Sequence, residues 1–409
     1  MSEVENRESP EDAEYRLNAR AWLEAHAERK TGVDDWSTQR HHTDPDALRA
    51  YFERCRAWQR TLYDGGYAGI SWPVEHGGQG GTSTQSRIFA EEVAAFDVTS
   101  GFLSSTIMMI GTALRFHGTP EQQARFLPPL LSGEEAWCQL FSEPGSGSDL
   151  AGLACKAVRD GDEFILNGQK VWNSMAQCAE WGFIIARTNP DVPKHAGITF
   201  LLVDMRSPGI EVRPLVQANG AQHFNEVFLS DVRVPVEHVV GEIDGGWSPT
   251  RTVMAAESQF IGGTTDRSAA EKLAEVATRL GRNHDPLVRQ RLATLHTRER
   301  VISWMSTTMM NAVRRGEKPS VSGGVLKLFM AENRVRIGET ATMLLGPAAT
   351  ADTDPDSEWA QLELINRFSV SIGGGTNEVQ RNNVGERDLG LPRDIRVDKD
   401  VAWKDVPRG

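Results

Sequence analysis

Residues 138–153 read Cys-Gln-Leu-Phe-Ser-Glu-Pro-Gly-Ser-Gly-Ser-Asp-Leu-Ala-Gly-Leu, and the hydrophobic period of the chain changes across them. Upstream, Leu17, Trp22 and Leu23, then Leu48, Phe52, Cys55 and Trp58, recur near the helical period. Downstream, short β-branched runs separated by Gly, Pro and Asp take over. Ala154 to Val158, Asp160-Gly161 and Glu163 to Asn167 predict a hairpin around an Asp-Gly turn. Further strands are expected at Gly182 to Arg187, Ile198 to Val203, Ile210 to Val212 and Val227 to Val234. Within the stretch itself, glycines let backbone N–H groups approach a ligand, and serine hydroxyls add donors suited to a pyrophosphate or a flavin oxygen.

Working outward, 1–135 is predicted as a helical domain. Thr119-Pro120-Glu121-Gln122 has the form of a capped helix start, and 71–81 that of a glycine-rich loop between helices. Phe102 to Phe116 is apolar but broken by Ser104, Ser105 and Gly111, so it predicts a buried helix and not a membrane span. Residues 136–245 predict an antiparallel β-barrel or sandwich of about six strands. From Gly246 the helical period returns, with helices expected at 248–262, 266–281, 286–314, 321–345, 357–371 and near 376–387. These form a C-terminal domain like a four-helix bundle over 246–395, with a tail at 396–409 and surface loops at 316–324 and 348–356. The fold class is α+β multidomain.

Composition narrows the function. The chain has 409 residues, 39% hydrophobic and 24% charged, enough for two or three domains. A net charge of −12 argues against nucleic acid as a partner. The four cysteines, Cys55, Cys138, Cys155 and Cys178, form no C-x-x-C pair and suit reduced thiols in the cytoplasm. The acidic N-terminus has the character of neither a signal nor a transit peptide. No metal site is expected: the ten histidines are scattered, and His41-His42 lies in a polar loop. No G-x-G-x-x-G stands between a strand and a helix, no P-loop occurs and no G-x-S-x-G elbow exists, which argues against nicotinamide, NTPase and α/β-hydrolase chemistry.

Three motifs together resemble the acyl-CoA dehydrogenase family over about residues 60–392. They are the 141–149 loop, Asn167-Gly-Gln-Lys-Val-Trp-Asn-Ser174, and Gly373-Gly374-Gly375-Thr376-Asn377-Glu378. The segment 224–235 is similar too and is given no chemistry. The resemblance implies FAD as cofactor, with Phe141, Ser142, Gly147 and Ser148 at the flavin. It puts Trp172 beside the isoalloxazine and the Ser174 hydroxyl near its N5 or O4. Thr376 and Glu378 are candidate cofactor contacts.

The family's base often stands in a Tyr-Glu-Gly-Thr pattern, but this chain has Gly373-Gly374-Gly375-Thr376 there. A second family location lies ten residues beyond the last position of a Gly-Gly-Trp-like motif. Gly245-Gly246-Trp247 leads in this way to Glu257, among mostly apolar neighbours where desolvation would raise a carboxyl pKa. Ser258 follows, where many relatives have arginine. Glu257 is the expected base, and the Gly374 N–H the expected donor to the thioester oxygen. In relatives, a neighbouring subunit helps bind FAD through an Arg-x-x-Phe-Gly and a Gln-x-x-Gly-Gly segment. Here they are reduced to the regions of Arg282 and Gly346.

The expected activity is α,β-dehydrogenation of an acyl-CoA thioester, with an electron-transfer flavoprotein as acceptor, in a homo-oligomer. Two alternatives stay open: a half-catalytic subunit of a heteromeric dehydrogenase, and an oxygen-using relative such as an acyl-CoA oxidase or flavin monooxygenase. The missing side chains at Gly373 and Gly374 predict a preference for branched, aromatic or ring-bearing acyl groups.

Overall fold

The computed structural model describes residues 9–32, 35–38, 42–261, 268–315, 317, 319–393, 395 and 398–407. The chain divides into two compact units, Met1–Val253 with Val397–Gly409, and Met254–Arg396. The predicted N-terminal helices and β region thus fall in one unit, and the tail returns to it.

The first unit opens with α1 (Pro10–His26), α2 (Pro45–Asp64), α3 (Ser83–Val93), α4 (Phe102–His117) and α5 (Pro120–Ser132). Ser9, Asp44, Thr82 and Thr119 cap four of them by accepting from a backbone N–H in the first turn. Thr119 and Gln122 form a capping box, with Pro120 in the first turn as its sequence predicts. Leu48, Phe52, Cys55 and Trp58 are buried, whereas Leu17 is 64% exposed. Its helix buries Ala19 and Leu23 instead, while Arg16 and Arg20 pair with Glu91 and Glu92 of α3. Helix α4 is buried along Leu103, Met109, Ile110, Ala113 and Leu114, although Phe116 faces outward.

Seven strands follow: β1 (Trp137–Leu140), β2 (Lys156–Asp160), β3 (Glu163–Val171), β4 (Trp181–Arg187), β5 (Ile198–Asp204), β6 (Ile210–Leu215) and β7 (Phe224–Pro235). Six are those predicted. The seventh, β1, is too short for its alternation to show, and it pairs parallel to β4. The sheet runs β1-β4-β2-β3-β7-β6 with β5 on β4. Among the named strands of the described residues, the β1/β4 pair and the single β2/β4 register point, Lys156 with Arg187, are parallel; the other strand pairs are antiparallel as expected. The Asp-Gly hairpin forms, with Gly161 at φ +62°. One core lies between α4, α5 and the sheet, around Phe126, Trp137, Phe183 and Phe200. A second lies on strand residues such as Leu166, Leu201 and Val234.

The second unit takes the end of α6 (Trp247–Ile261), then α7 (Ala269–Arg279), α8 (Pro286–Arg314), α9 (Gly323–Leu345), α10 (Pro347–Ala351), α11 (Ser357–Asn366), α12 (Ser369–Ile372) and α13 (Asn377–Asn383). The helix predicted at 357–371 is two, α11 and α12, and α13 ends in a π-helical turn, Val384–Asp388. The loop predicted at 348–356 contains most of α10. Leu273, Val276, Leu295, Ile337, Ala341 and Leu344 form the unit's core.

The C-terminal residues pack on the first unit. Trp403, 8% exposed, donates from Nε1 to the Gly152 carbonyl at 3.2 Å, and the Arg187 guanidinium lies 4.8 Å over its ring. Cys55, Cys138 and Cys155 are buried free thiols and Cys178 is half-buried. Burial pushes the thiols of Cys55 and Cys155 up to about 11. His42 rests on the Tyr51 ring at 4.7 Å, and His41 lies outside the described residues. Among the described residues no cluster of three or more His, Cys, Asp or Glu could hold a metal, and no helix is long and apolar enough to cross a membrane.

Candidate active site

The 141–153 loop is built from within. Glu143, nearly buried, accepts hydrogen bonds from the Ala154 and Cys155 N–H groups at 2.7 and 2.9 Å and from Lys170 Nζ at 2.8 Å. Lys170 also donates to the Phe141 carbonyl at 3.0 Å. Ser146 Oγ donates to the Asp149 carbonyl at 2.6 Å, and the backbones of Glu143 and Ser146 bond reciprocally. Arg187 Nη2 holds the far end through the Ala151 carbonyl at 2.6 Å. With its ends fixed, the loop leaves Gly147 and Ser148 exposed, and a Cβ added at Gly145 or Gly147 would meet nothing within 4 Å.

One predicted contact changes character. Phe141 is 4% exposed, its ring set edge-on to Phe183 and Phe200, so the ring is core and only its backbone remains for a ligand. Ser142 accepts from the Val171 N–H at 2.9 Å through its carbonyl and stays half-buried.

Beyond β3 the backbone turns sharply. Trp172 and Met175 take left-handed φ of +64° and +55°, costing about 1–3 kcal/mol each. Buried Asn173 holds the turn: its Nδ2 donates to the Gln139 carbonyl at 2.7 Å, and Asn225 Nδ2 donates to its carbonyl at 2.9 Å. The result presents the Trp172 indole 59% exposed, edge-on to Phe224 at 5.8 Å. Trp172 and Ser174 line one mostly apolar cleft with Phe102, Met109, Ala136 and Gln139. The two residues that the sequence paired are therefore brought together.

The Gly-Gly-Trp motif has a steric reason. The Gly246 N–H donates to the Ile198 carbonyl at 2.7 Å, and a Cβ there would lie 2.4 Å from the Phe200 nitrogen. Only glycine lets the chain pass β5 so closely before α6 begins. Val253 and Ala256 on that helix are buried, Ala255 is exposed and Glu257 is half-buried. The surroundings of Glu257 are thus mixed, less uniformly apolar than its sequence suggests. The Ser258 side chain lies outside the described residues.

In the second unit, Gly374 and Gly375 have φ of +65° and +84°, whereas Gly373 is at −63°. Thr376 caps α13 by accepting from the Val379 N–H at 3.2 Å, and Glu378 is exposed and paired with Arg381 at 3.1 Å. Arg282 and Gly346 both serve the end of α9. Arg282 Nη1 donates to the Met343 and Leu344 carbonyls at 2.8 and 3.0 Å, and Gly346 terminates the helix at φ +57°. In this chain Arg282 clamps a helix end, a use its sequence does not reveal. The sequence reading also gave no role to Lys170, Glu143, Asn173 or Asn225. A lysine beside Val171 in a strand of otherwise ordinary alternation was the available signal for the first of these.

The sequence matches the acyl-CoA dehydrogenase N-terminal domain over residues 9–134, the middle domain over 138–232 and the C-terminal domain over 250–389. The chain belongs to the acyl-CoA dehydrogenase family. It is 38% identical over 392 residues to the acyl-CoA dehydrogenase IpdE1 of Mycobacterium tuberculosis, covering 94% of this chain and 98% of that protein. Among solved structures it is similar to the Tcur3481-Tcur3483 steroid ACAD, with a TM-score of 0.76, 30% identity and coverage of 95% of this chain and 99% of that one. It is also similar to the ChsE4-ChsE5 complex of Mycobacterium tuberculosis, with a TM-score of 0.73, 28% identity and coverage of 96% and 100%.

Acyl-CoA dehydrogenases are FAD-dependent oxidoreductases, and this chain's residues fit the cofactor. The wide exposed face of Trp172, the half-buried Ser174 hydroxyl beside it and the open side of Gly145 and Gly147 suit a flat aromatic ligand with polar edges and a phosphate tail.

Proposed function

We propose that the chain oxidises the α,β C–C bond of a ring-bearing acyl-CoA thioester, with Glu257 as base. The reading rests most on the Gly-Gly-Trp register that leads to Glu257, joined with the glycines at 373 and 374, at positions where many members of the family have tyrosine and glutamate. Glu257 takes the α-proton, and the Gly374 N–H donates to the thioester oxygen as negative charge gathers there. FAD, when bound, supplies the acceptor for the two electrons that leave with the β-hydride. Trp172 would wall the flavin against water, and Ser174 would donate to it through its hydroxyl. Ser142, Gly147, Ser148, Thr376 and Glu378 complete the cofactor contacts we assign.

The steroid ACAD among the similar structures supports a polycyclic acyl group. An electron-transfer flavoprotein is the acceptor in this reading, and the cytoplasm is the compartment. Association with a like chain is the assembly in this reading. We retain a functional division at 1–135, 136–245 and 246–395, with the tail from 396. The deciding experiment is anaerobic bleaching of the purified flavoprotein by a panel of acyl-CoA thioesters. Ring-bearing thioesters should reduce the flavin fastest. A colourless protein that takes up no added FAD, or a best rate with butyryl-CoA, would overturn the reading.

A second reading is a subunit that completes its sites only with a homologous partner. The two-component assemblies among the similar structures favour it. Flavin uptake only on co-expression with a homologue would select it.

A further inference from the structure

Two side chains hold the glycine turn of the second unit from behind. Lys327, on α9, is 7% exposed, and its Nζ donates to the Gly375 carbonyl at 2.5 Å. Gln380, on α13, donates from Nε2 to the Gly374 carbonyl at 3.1 Å. Both glycines are left-handed, so the turn has no Cβ to brace it. A Cβ at Gly375 would come within 3.0 Å of that same Gln380 nitrogen. The backbone carbonyls are thus occupied, while the Gly374 and Gly375 N–H groups meet no acceptor among the described residues. Donors without an acceptor, on a turn fixed through its carbonyls, form a preorganised anion cradle.

Lys327 is an unusual choice for this task. A buried ammonium loses much of its hydration, and burial holds its pKa below the ordinary lysine range, with the Glu378 carboxylate opposing that shift. A neutral donor such as glutamine could hold a carbonyl at lower cost. What lysine adds is charge in a medium of low dielectric, where it acts strongly on any anion gathered at the turn. A hydrogen bond to a peptide carbonyl also polarises the next N–H along the chain, here that of Thr376, just as Gln380 polarises that of Gly375.

We propose that Lys327 is a positioning residue for the dehydrogenation. It fixes the Gly374-Gly375 turn so that its N–H groups stay directed at the acyl thioester, and its charge favours the enolate-like form over the neutral one. This inference rests on the reading that the Gly374 N–H donates to the thioester oxygen.

The test uses the FAD-loaded full-length protein and acetoacetyl-CoA, a β-keto thioester whose enolate is followed by its ultraviolet absorbance. Wild-type protein should bind the probe with an enolate pKa well below that of free acetoacetyl-CoA. Lys327→Met should raise the bound pKa by about one unit, a tenfold loss of enolate preference. It should lower kcat by about tenfold with KM changed by less than about threefold, since the loss falls on the charged state. Lys327→Arg, which keeps charge and donor, should restore most of both. Should Lys327→Met fail to fold, Lys327→Gln, which keeps a donor and removes the charge, carries the test and should shift the pKa in the same direction. A wild-type protein that leaves the probe's pKa at its free value would remove the oxygen-site reading itself. An acidified probe in wild type with an unchanged pKa in folded Lys327→Met, or in Lys327→Gln where that is the variant used, would overturn the role of Lys327 alone.

Discussion

Lys170 Nζ lies 2.8 Å from Glu143 Oε1, and Lys170 is fully buried with Glu143 8% exposed. The pair ties β3 to the loop at 141–155, because the same carboxylate receives the N–H groups of Ala154 and Cys155. Lys170→Met leaves that carboxylate buried without its cation, which should cost about 3–5 kcal/mol in urea unfolding. Adding Glu143→Gln removes the orphaned charge and should recover part of the loss. A double variant no more stable than Lys170→Met would mean that the backbone bonds, and not the charge, set the penalty.

Glu257→Gln should fold, keep its FAD and lose about 10²-fold or more in the rate of flavin bleaching by acyl-CoA, as removal of a general base requires. Stopped-flow absorbance under anaerobic conditions measures this directly. An undiminished rate would assign the base elsewhere.

The glycine turn makes opposite demands at adjacent positions. Gly374, at φ +65°, should lose about 1–2 kcal/mol on Gly374→Ala, read as a lower Tm. Gly373, at φ −63°, accepts a side chain with its Cβ 3.4 Å from the Ser369 carbonyl, so Gly373→Ala should be nearly neutral in stability. It should slow ring-bearing substrates more than straight-chain ones. For the same reason Gly374→Glu in a Glu257→Gln background should not restore the rate, since its backbone is strained where glutamate would stand. Full rescue would show that the turn relaxes freely.

Burial of His238, edge-on to Phe126 and Trp181, holds its imidazole below the usual value of 6.5. Burial does the same to His117, whose Nε2 lies 2.8 Å from the Thr252 hydroxyl. The folded state thus prefers neutral rings, while the unfolded chain takes up protons at the higher, ordinary pKa. The contribution is complete above pH 6.5 and is lost as pH falls through 6.5 toward the lower folded values. Stability measured between pH 7.5 and about 5 should fall accordingly, and His238→Phe should flatten the slope. An unchanged slope in that variant would place the acid sensitivity in other groups.

Much of this was legible locally. Helix starts such as Thr119-Pro120 and the Asp160-Gly161 hairpin depend on residues a few positions apart, so sequence spacing fixes them. The pairing of Trp172 with Ser174 is equally local, two residues on one turn. Less visible was which face an element buries. Leu17 fits the helical period of α1 but faces outward, because Arg16 and Arg20 reach Glu91 and Glu92 across to α3. Phe141 belongs to the motif yet fills the core, since only packing against Phe183 and Phe200 decides a ring's direction.

By itself, the sequence determined the order of helical and strand-rich regions, the family motifs and the loss of a carboxylate at Gly374. Period, turn chemistry and residue identity are properties of short segments. Only the tertiary structure decided that Lys170 supports the loop at 143, that Arg282 clamps the end of α9, that Lys327 stands behind Gly375 and that Trp403 seals Gly152. Each of these joins groups separated by 27 to 251 positions. Nothing in local spacing encodes such contacts; they exist because a buried polar group must find a partner wherever the folded chain supplies one.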